Sequence, residues 1–358
     1  MFFNAKKKQG KVFVGLSGGV DSAVSAALLK KALWDVECVF IRIALHGYPC
    51  TASADRQDAL RVVAHLELPF REIDLSEAYR ARVFEHTISS YRRGETPNPD
   101  TLCNREIKFG LLYEYAMKEG AQFVATGHYA QTEQVGGRTH LRMSADKEKD
   151  QSYFLWMVPE DRLQKTLFPV GGMQKSDVRR LAEQFSLPNA RRKDSQGLCF
   201  LGDISINEML KKELGTAQGA VLDEVGRVIG EHHGAALYTI GERHGFTVNS
   251  KDTKREPRYV IAKDMQKNTI TVSSKLRPKT ASEEPLINLA EENWTGEVNS
   301  GTYAARFRYR QTLIPADLIR TDDRPTARLK EPRFVPSGQS LVFYQKERCL
   351  GGGVISSK

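Results

Sequence analysis

The chain has little cysteine and no pattern that would turn it into a framework. Five are present, Cys38, Cys50, Cys103, Cys199 and Cys349, odd in number and widely spaced. No Cys-x-x-Cys pair occurs, which argues against a zinc knuckle and, in a reducing compartment, against a structural disulfide set. Each cysteine is therefore either a small core residue or a reactive thiol. No apolar run approaches the length of a membrane span, so no membrane partner is expected. Residues Met1 to Gly10 are short and basic and lack the apolar core and cleavage site of an export signal, which predicts a cytoplasmic protein. The phosphate-loop pattern Gly-x-x-x-x-Gly-Lys-Ser/Thr is missing, as are internal repeats and low-complexity tracts.

What is present is a soluble globular composition, 40% hydrophobic and 27% charged, in 358 residues, enough for two or three domains. The 53 basic and 44 acidic residues leave a net charge of +9, which suits a polyanionic partner without identifying one.

The most informative stretch is Val12 to Ser22, a buried strand running into a Gly/Ser turn and then an apolar helix, Ala23 to Leu33. Two adjacent glycines, Gly18 and Gly19, let backbone N–H groups approach a phosphate, and the helix N-terminus adds partial positive charge. Ser17 and Ser22 add hydroxyl donors. Asp21 would repel a bare phosphate and makes sense if it holds Mg²⁺ against a triphosphate. The order Ser-Gly-Gly-x-Asp-Ser resembles the loop of enzymes that split ATP between its α and β phosphates. An ordinary strand–helix turn with a capping aspartate is the alternative.

Further strands are expected at Val36–Ile43, Phe70–Leu75 and Gln122–Thr126, with helices at Ala54–Leu66 and Glu77–Arg92 between them. Strands alternating with helices predict a parallel sheet covered on both faces, with ligands at the carboxyl ends of its strands. Thr96 to Asn104 carries two prolines that fix an extended approach, and Asp100 is placed to cap the next helix. Cys103 then falls in that helix's first turn, where the N-terminus, Arg105 and Lys108 favour its thiolate and Asp100 opposes it. Gly127 follows a strand end, and His128 either touches a ligand or pairs within its loop. Gln134 to Arg138 reads as a hairpin turn, and Ser176 as the cap of a helix Asp177–Phe185. Asn189 to Phe200 combines three successive cations with Cys199. It is either a polyanion-binding loop that presents sulfur or a solvated loop beside a core cysteine.

Beyond about Asp203 helices fade, apart from one near Asn207–Leu214. Strands are expected at 223–227, 259–261 and 269–272, then at 303–309, 316–320, 333–335, 340–344 and 353–356. Arg306 to Gln311 alternates cation and aromatic, which fits either a phosphate-contacting strand or an amphipathic barrel wall. The expected architecture is α/β: a doubly wound parallel sheet over 1–203, a small β-rich central domain over 204–280, and a β-barrel over 281–358.

With those stretches in view, the chain closely resembles the bacterial tRNA-specific 2-thiouridylases, the MnmA/TrmU family. The carrying stretches are Gly15–Ser22, Thr96–Lys108 with its Asn-Pro-Asp-x-x-Cys-Asn, Ala125–Tyr129, Lys149–Leu155, Asp-Ser-x-Gly-x-Cys-Phe at 194–200, Tyr238–Gly241, Arg308–Gln311, and Pro336–Gln339 with Cys349–Gly353. The resemblance implies a reaction in which ATP adenylates the C2 oxygen of the wobble uridine and a persulfide sulfur displaces AMP. It implies ATP contacts at Gly15, Leu16, Ser17, Gly18, Gly19, Val20, Asp21, Ser22, Ile41 and Gly127. It makes Cys199 the persulfide carrier and Cys103 its partner nucleophile, the two closing a disulfide in turnover, with Asp21 serving catalysis beside Mg²⁺. Asn98, Pro99 and Asp100 would meet the base; His128, Lys149, Asp150, Gln151, Arg308, Tyr309 and Gln339 would touch tRNA. Partners implied are tRNAs for Lys, Glu and Gln and a persulfide donor, either a cysteine desulfurase or a sulfur-relay protein, with the enzyme a monomer. One departure is Ala44 to Cys50, where many relatives are acidic and carry tryptophan. Rival readings are another adenylating ligase with this loop, or a non-catalytic, nucleotide-gated RNA-binding protein.

Overall fold

The structure is a computed structural model that describes residues 9–48, 52–194, 199–200, 202, 204–249, 256–274, 286–321, 324–331 and 333–356. Cys50 and Ser195 to Leu198, both discussed above, lie outside the described residues.

The first sheet is built from β1 (Lys11–Gly15), β2 (Asp35–Arg42), β3 (Phe70–Asp74), β4 (Phe123–Ala125) and, further on, the short Thr166–Leu167, with helices α1 (Val20–Lys31) and α2 (Ala52–Leu66) threaded between the early strands. Its strand order is β3-β2-β1-β4 with Thr166–Leu167 outermost, all parallel. Alternation along β1 explains why both faces are covered. Val12 and Val14 join a core with Val24, Ala59 and Val62, while Phe13 points to the opposite core with Leu112 and Ala116.

The chain then passes through α3 (Ser76–Tyr79), a π-helical segment Arg80–Phe84 and α4 (Glu85–Arg92). Next come α5 (Pro99–Cys103), a second π-helical segment Asn104–Leu111 and α6 (Leu112–Lys118). Asn98, not Asp100, caps α5: its side chain accepts from the Thr101 N–H at 3.3 Å, and Pro99 supplies the fixed φ of a first helical residue. Cys103 therefore ends α5, at the junction with the π segment, rather than lying in its opening turn. Ser176 likewise sits inside a helix, Lys175–Gln184, whose cap position is Gln174.

After β4 comes a hairpin, β5 (Ala130–Val135) and β6 (Arg138–Met143). It leaves the parallel sheet and pairs instead with the far end of the chain, Leu141 opposite Cys349. The strands that follow Thr166–Leu167 (β7) form two more sheets. The central one runs β8 (Gly219–Leu222), β9 (Val228–His232), β10 (Thr247–Val248), β11 (Tyr259–Asp264) and β12 (Thr269–Ser273), in the order β10-β9-β8-β12-β11. Residues 223–227, expected as a strand, form the turn between β8 and β9, closed by Asp223 accepting from Arg227 N–H. Ser205 and Glu208 form a reciprocal cap on the helix Ile206–Leu214 that precedes this sheet. Met209 and Leu210 of that helix share the core that Phe13 enters, so the central domain is packed onto one face of the parallel sheet.

The last six strands, β13 (Ile287–Trp294), β14 (Gly301–Arg306), β15 (Ile314–Ile319), β16 (Thr326–Leu329), β17 (Ser340–Gln345) and β18 (Arg348–Ser356), close into an antiparallel barrel through the β13–β18 pairing. Strand β16 was not expected, and 333–335 is not a strand. Strand β14 stops at Arg306, so Phe307 to Tyr309 is a turn rather than an alternating wall, and Arg310 takes φ +59°. No helix among the described residues is long and apolar enough to cross a membrane.

Candidate active site

The loop between β1 and α1 is held open as an anion cradle. Gly19 occupies the cap position of α1 with no side chain closing it, so the first N–H groups of a 12-residue helix stay available. Gly18 has φ +79°, and a Cβ there would lie 2.4 Å from the Asp55 carbonyl oxygen. Ser22 Oγ donates to the Gly19 carbonyl at 3.0 Å and lies 3.2 Å from Ser17 Oγ, which tightens the turn. Asn189 donates to the Gly18 carbonyl at 2.7 Å, and Arg192 braces the loop from outside through Asp55 and Asp58. Leu16 and Val20 are buried beneath it, and Ile41 is buried in the core at the end of β2.

Gly127, at the carboxyl end of β4, packs directly on this loop. An added Cβ would sit 2.6 Å from Ser22 N and 2.8 Å from the Asp21 carbonyl carbon. Asp21 faces inward, taking Lys175 Nζ at 2.7 and 2.8 Å and the Tyr129 hydroxyl at 2.9 Å. Lys175 also reaches Asp194 at 2.9 Å, and Asp194 is further bound by Lys149 at 2.8 Å and by Arg179. The start of the segment leading to Cys199 is thus tied by one lysine to the aspartate of the cradle.

The two thiols singled out in the sequence lie together, Cys103 Sγ 3.4 Å from Cys199 Sγ, across 96 positions of chain. Cys103 is fully buried at 0% exposure, whereas Cys199 is only half-buried. Burial, joined by the neighbouring Cys199, pushes the Cys103 thiol well up, against the expectation that its helix would favour the thiolate. Arg105 does not help it, being engaged with Glu106 and Glu291. Cys199 moves the other way: the hydrogen bond from Cys103 lowers it, burial opposes, and the Lys108 ammonium lowers it again. Of the pair, Cys199 is the more readily ionised. Its segment is fixed by the Tyr79 hydroxyl, which donates to the Cys199 carbonyl at 2.9 Å, and by the Tyr79 ring edge-on to Phe200. Phe200 itself has φ +67°, a costly conformation for a bulky residue. Cys38 and Cys349 are buried in strands and pushed up to about 12, which marks them as packing residues.

Beside the thiols opens a cavity of about 520 Å³. Asn98, Pro99 and Asp100 from the parallel-sheet domain, Arg308, Tyr309 and Gln339 from the barrel, and Leu237, Thr239 and Glu242 from the central domain all line it. Gln339 donates to the Thr96 carbonyl at 2.9 Å, and Tyr309 stacks obliquely on Phe154, ring centres 4.6 Å apart. Arg308 donates to the Ile240 carbonyl at 2.9 Å, joining barrel to central domain at the rim. Asp100 lies between cavity and thiols; burial raises its carboxyl pKa against the pull of Lys108 and of the Cys199 N–H.

Models of three domains match the chain in order: the tRNA methyl transferase HUP domain over residues 10–203, the tRNA methyl transferase PRC-barrel domain over 207–274, and the aminomethyltransferase beta-barrel domain over 284–355. The chain is 40% identical over 361 residues to the tRNA-specific 2-thiouridylase MnmA of Enterococcus faecalis, covering 98% of this chain and 96% of that one. To the protein of the same name from Pseudomonas fluorescens it is 41% identical over 358 residues, covering 96% and 94%. The chain belongs to the tRNA-specific 2-thiouridylase family.

Within this member of the family the other residues singled out above are placed less openly. His128 is buried between Phe109 and Phe168, its Nδ1 2.8 Å from Thr126 Oγ1 and its Nε2 3.4 Å from Lys108 Nζ. Asp150 is bound inside by Arg306 at 2.5 Å, and Gln151 accepts from the Tyr129 N–H at 2.9 Å. Sequence reasoning passed over Lys175, Tyr91, Phe154 and Thr239. Lys175 and Tyr91 stand outside every motif quoted above; Phe154 and Thr239 fall inside two of them, at 149–155 and 238–241, and join Tyr91 and Asp100 around one cavity only through the fold.

Proposed function

We propose that the chain thiolates tRNA: ATP activates the C2 oxygen of an unpaired wobble uridine, and sulfur carried on Cys199 replaces that oxygen. The observation that carries this is the approach of two thiols to 3.4 Å beside a cavity that reaches into all three domains. The names of the matching domain models speak of methyl transfer, but a methyl donor needs no paired thiols, and here two converge.

The open α1 N-terminus and the Gly/Ser loop suit the triphosphate, and Gly127 keeps the strand end tight against them. The donor set fits Mg²⁺ carried in on the nucleotide rather than held in a protein cage. Asp21 offers one carboxylate, and no cluster of three or more His, Cys, Asp or Glu ligands occurs among the described residues. Bound there, the ion would offset charge on the departing pyrophosphate.

A uracil oxygen is a poor leaving group, and adenylation makes it part of a phosphate ester. The outer sulfur of a Cys199 persulfide attacks C2, the C2–O bond breaks, and AMP leaves with the electron pair. Cys103, losing its proton, then attacks the Cys199 sulfur; the S–S bond to the base breaks, its pair stays on the new thiocarbonyl sulfur, and a Cys103–Cys199 disulfide remains for a dithiol to reduce. Cys103 is sealed from solvent and poised for that second step alone. An anticodon base is already unpaired, so placing it beside Asn98 to Asp100 costs little. The barrel and central domain would grip phosphates and set register. The substrates are tRNAs for Lys, Glu and Gln, and a persulfide-bearing protein supplies sulfur to a cytoplasmic monomer.

The test is nucleoside analysis of tRNA after incubation with ATP, Mg²⁺ and a persulfide source, with AMP release followed in parallel. The reading expects 2-thiouridine and tRNA-dependent AMP; AMP without thiolated nucleoside would point to an adenylating ligase instead.

A further inference from the structure

The second π-helical segment places one lysine against the sulfur site from beneath. Lys108 is half-buried on Asn104–Leu111, its ammonium 3.4 Å from His128 Nε2 and 5.9 Å from the centre of the Phe200 ring. His128 directs Nδ1 to the Thr126 hydroxyl, which leaves Nε2 as an acceptor for the lysine. Burial and the lysine itself keep that histidine uncharged, its pKa well below the ordinary value. Lys108 thus rests on a neutral base on one side. Cys199, next in chain to Phe200, with Cys103 and Asp100, are the groups whose charge Lys108 meets. Burial disfavours the charge on Lys108, yet these three outweigh it and the ammonium is held. Arg105, the other cation near in sequence, is neutralised by Glu106 and Glu291. Cys103 stands five residues into the helical run that starts at Pro99, past the first turn where a helix N-terminus acts most strongly.

We propose that Lys108 is the counter-ion of the Cys199 sulfur, keeping it anionic first as thiolate and then as persulfide. This rests on the reading of Cys199 as sulfur carrier. In loading, the Cys199 thiolate attacks the outer sulfur of a donor persulfide. The donor S–S bond breaks, its pair leaves on the donor's inner sulfur as thiolate, and the outer sulfur arrives with its proton, which passes to water. Both charges that Lys108 faces sit on one half-buried side chain, so the same ammonium serves before and after loading. The groups facing Cys199 are Lys108 from the π segment, Cys103 and Asp100 from α5, and the Tyr79 hydroxyl from α3, with His128 behind the lysine. Asp100 opposes the anion, the Cys103 thiol supports it by a hydrogen bond, and Lys108 supplies the positive charge. Its role is to position charge, not to touch the base.

The experiment reads the alkylation rate of Cys199 by iodoacetamide against pH, on reduced full-length protein, with peptide mass mapping to isolate that thiol. Lys108→Met should raise the midpoint by one pH unit or more, so that the rate near neutral pH falls about tenfold. Lys108→Gln, which keeps a donor for His128 but no charge, should shift it equally, and Lys108→Arg should restore the native profile. Superimposable profiles for native, Met and Gln proteins would overturn the proposal. A reciprocal measurement needs no variant: neutral carbamidomethylation of Cys199 should lower the Lys108 pKa, read by carbon-13 NMR of lysine-labelled protein. An unchanged lysine titration overturns it as well. Neither assay uses ATP or tRNA. A shifted profile without any 2-thiouridine formation keeps the counter-ion and removes the sulfur-transfer reading, and the converse result removes the counter-ion alone.

Discussion

Arg306 and Lys108 are both cations drawn into the interior, and they differ in how completely they are answered. Arg306 is 6% exposed and its partner Asp150 2%, with their atoms 2.5 Å apart. The guanidinium also donates to Ser152 Oγ at 3.1 Å and to the Tyr344 hydroxyl at 2.8 Å, while Asp150 accepts from the N–H groups of Ser144 and Ser152. That cluster fastens the barrel to the catalytic domain and leaves nothing for a ligand. Lys108 touches a neutral histidine and meets the charge of two sulfurs 3.4 Å apart, one of them half-buried. A saturated buried charge holds a fold together; one whose partner can change its chemistry can take part in a reaction.

The largest effect should come from the open cluster. Cys199→Ser and Cys103→Ser should each lower thiolation by on the order of 10⁴-fold or more while tRNA still binds, measured by nucleoside analysis and filter binding. Ordinary product from either variant would dissolve the contrast. Next in size is the closed cluster. Arg306→Leu strands Asp150 and should cost about 3–5 kcal/mol of stability in denaturant unfolding, whereas Arg306→Leu with Asp150→Leu should recover part of it. A milder loss from the single change than from the double one would mean the pair is not the fastening.

This contrast also marks what the sequence could show. The strand–glycine–helix loop was legible because it is local: a strand, two glycines, Asp21 and a helix start are consecutive. The parallel sheet was legible from the spacing of apolar strands and amphipathic helices. Asp150–Arg306 was not, because its partners are 156 positions apart: the alternation at 306–311 and the motif at 149–155 each hold one of them, and nothing local joins the two. For the same reason the hairpin β5–β6 gave no hint that it would join the barrel at Cys349. Residues 223–227 look like a strand from valine and alternating charge, but Asp223 folds back on its own loop. Strand β16, four residues of Thr-Ala-Arg-Leu, is too short for periodicity to separate from a loop. Asp100 and Asn98 are equally good caps by type, and Pro99 at the first helical position makes Asn98 the cap. The meeting of Cys103 with Cys199 had no spacing signal at all and was carried by resemblance.

A substitution between the two clusters and the cradle should be intermediate. Gly127→Ala puts a methyl group 2.6 Å from backbone of the loop, which cannot swing aside as a side chain would. The overpacking should cost about 1–3 kcal/mol of stability and weaken ATP binding by calorimetry about tenfold. The alkylation profile of Cys199 should stay as in the native protein: His128, which backs Lys108, follows Gly127 directly, but Thr126 holds its ring and Phe109 and Phe168 pack it. A shifted profile would mean that cradle and sulfur site are one unit rather than two.

The smallest expected effect is a flat line, and it comes from Asp194 set against Asp100. Burial pushes the Asp194 carboxyl up, but Lys149 and Lys175 outweigh it and hold the pKa well below the usual carboxylate range. The folded protein then binds fewer protons there than the unfolded chain. Its stabilising contribution is full above the unfolded pKa of about 3.9 and fades only as pH falls through the lower, folded value. Burial leaves Asp100 raised instead, so its ionisation opposes folding, and that penalty sets in as pH climbs from the unfolded toward the folded pKa. The stability difference between native protein and Asp194→Asn, by urea unfolding, should therefore stay constant between about pH 7 and 5 and narrow only below about 4. Asp100→Asn should differ in sign, gaining on the native protein as pH rises. If Asp194→Asn lost its deficit already at pH 5, the lysines would not be gripping that carboxylate, and the tie from the cradle through Lys175 to the Cys199 segment would be absent.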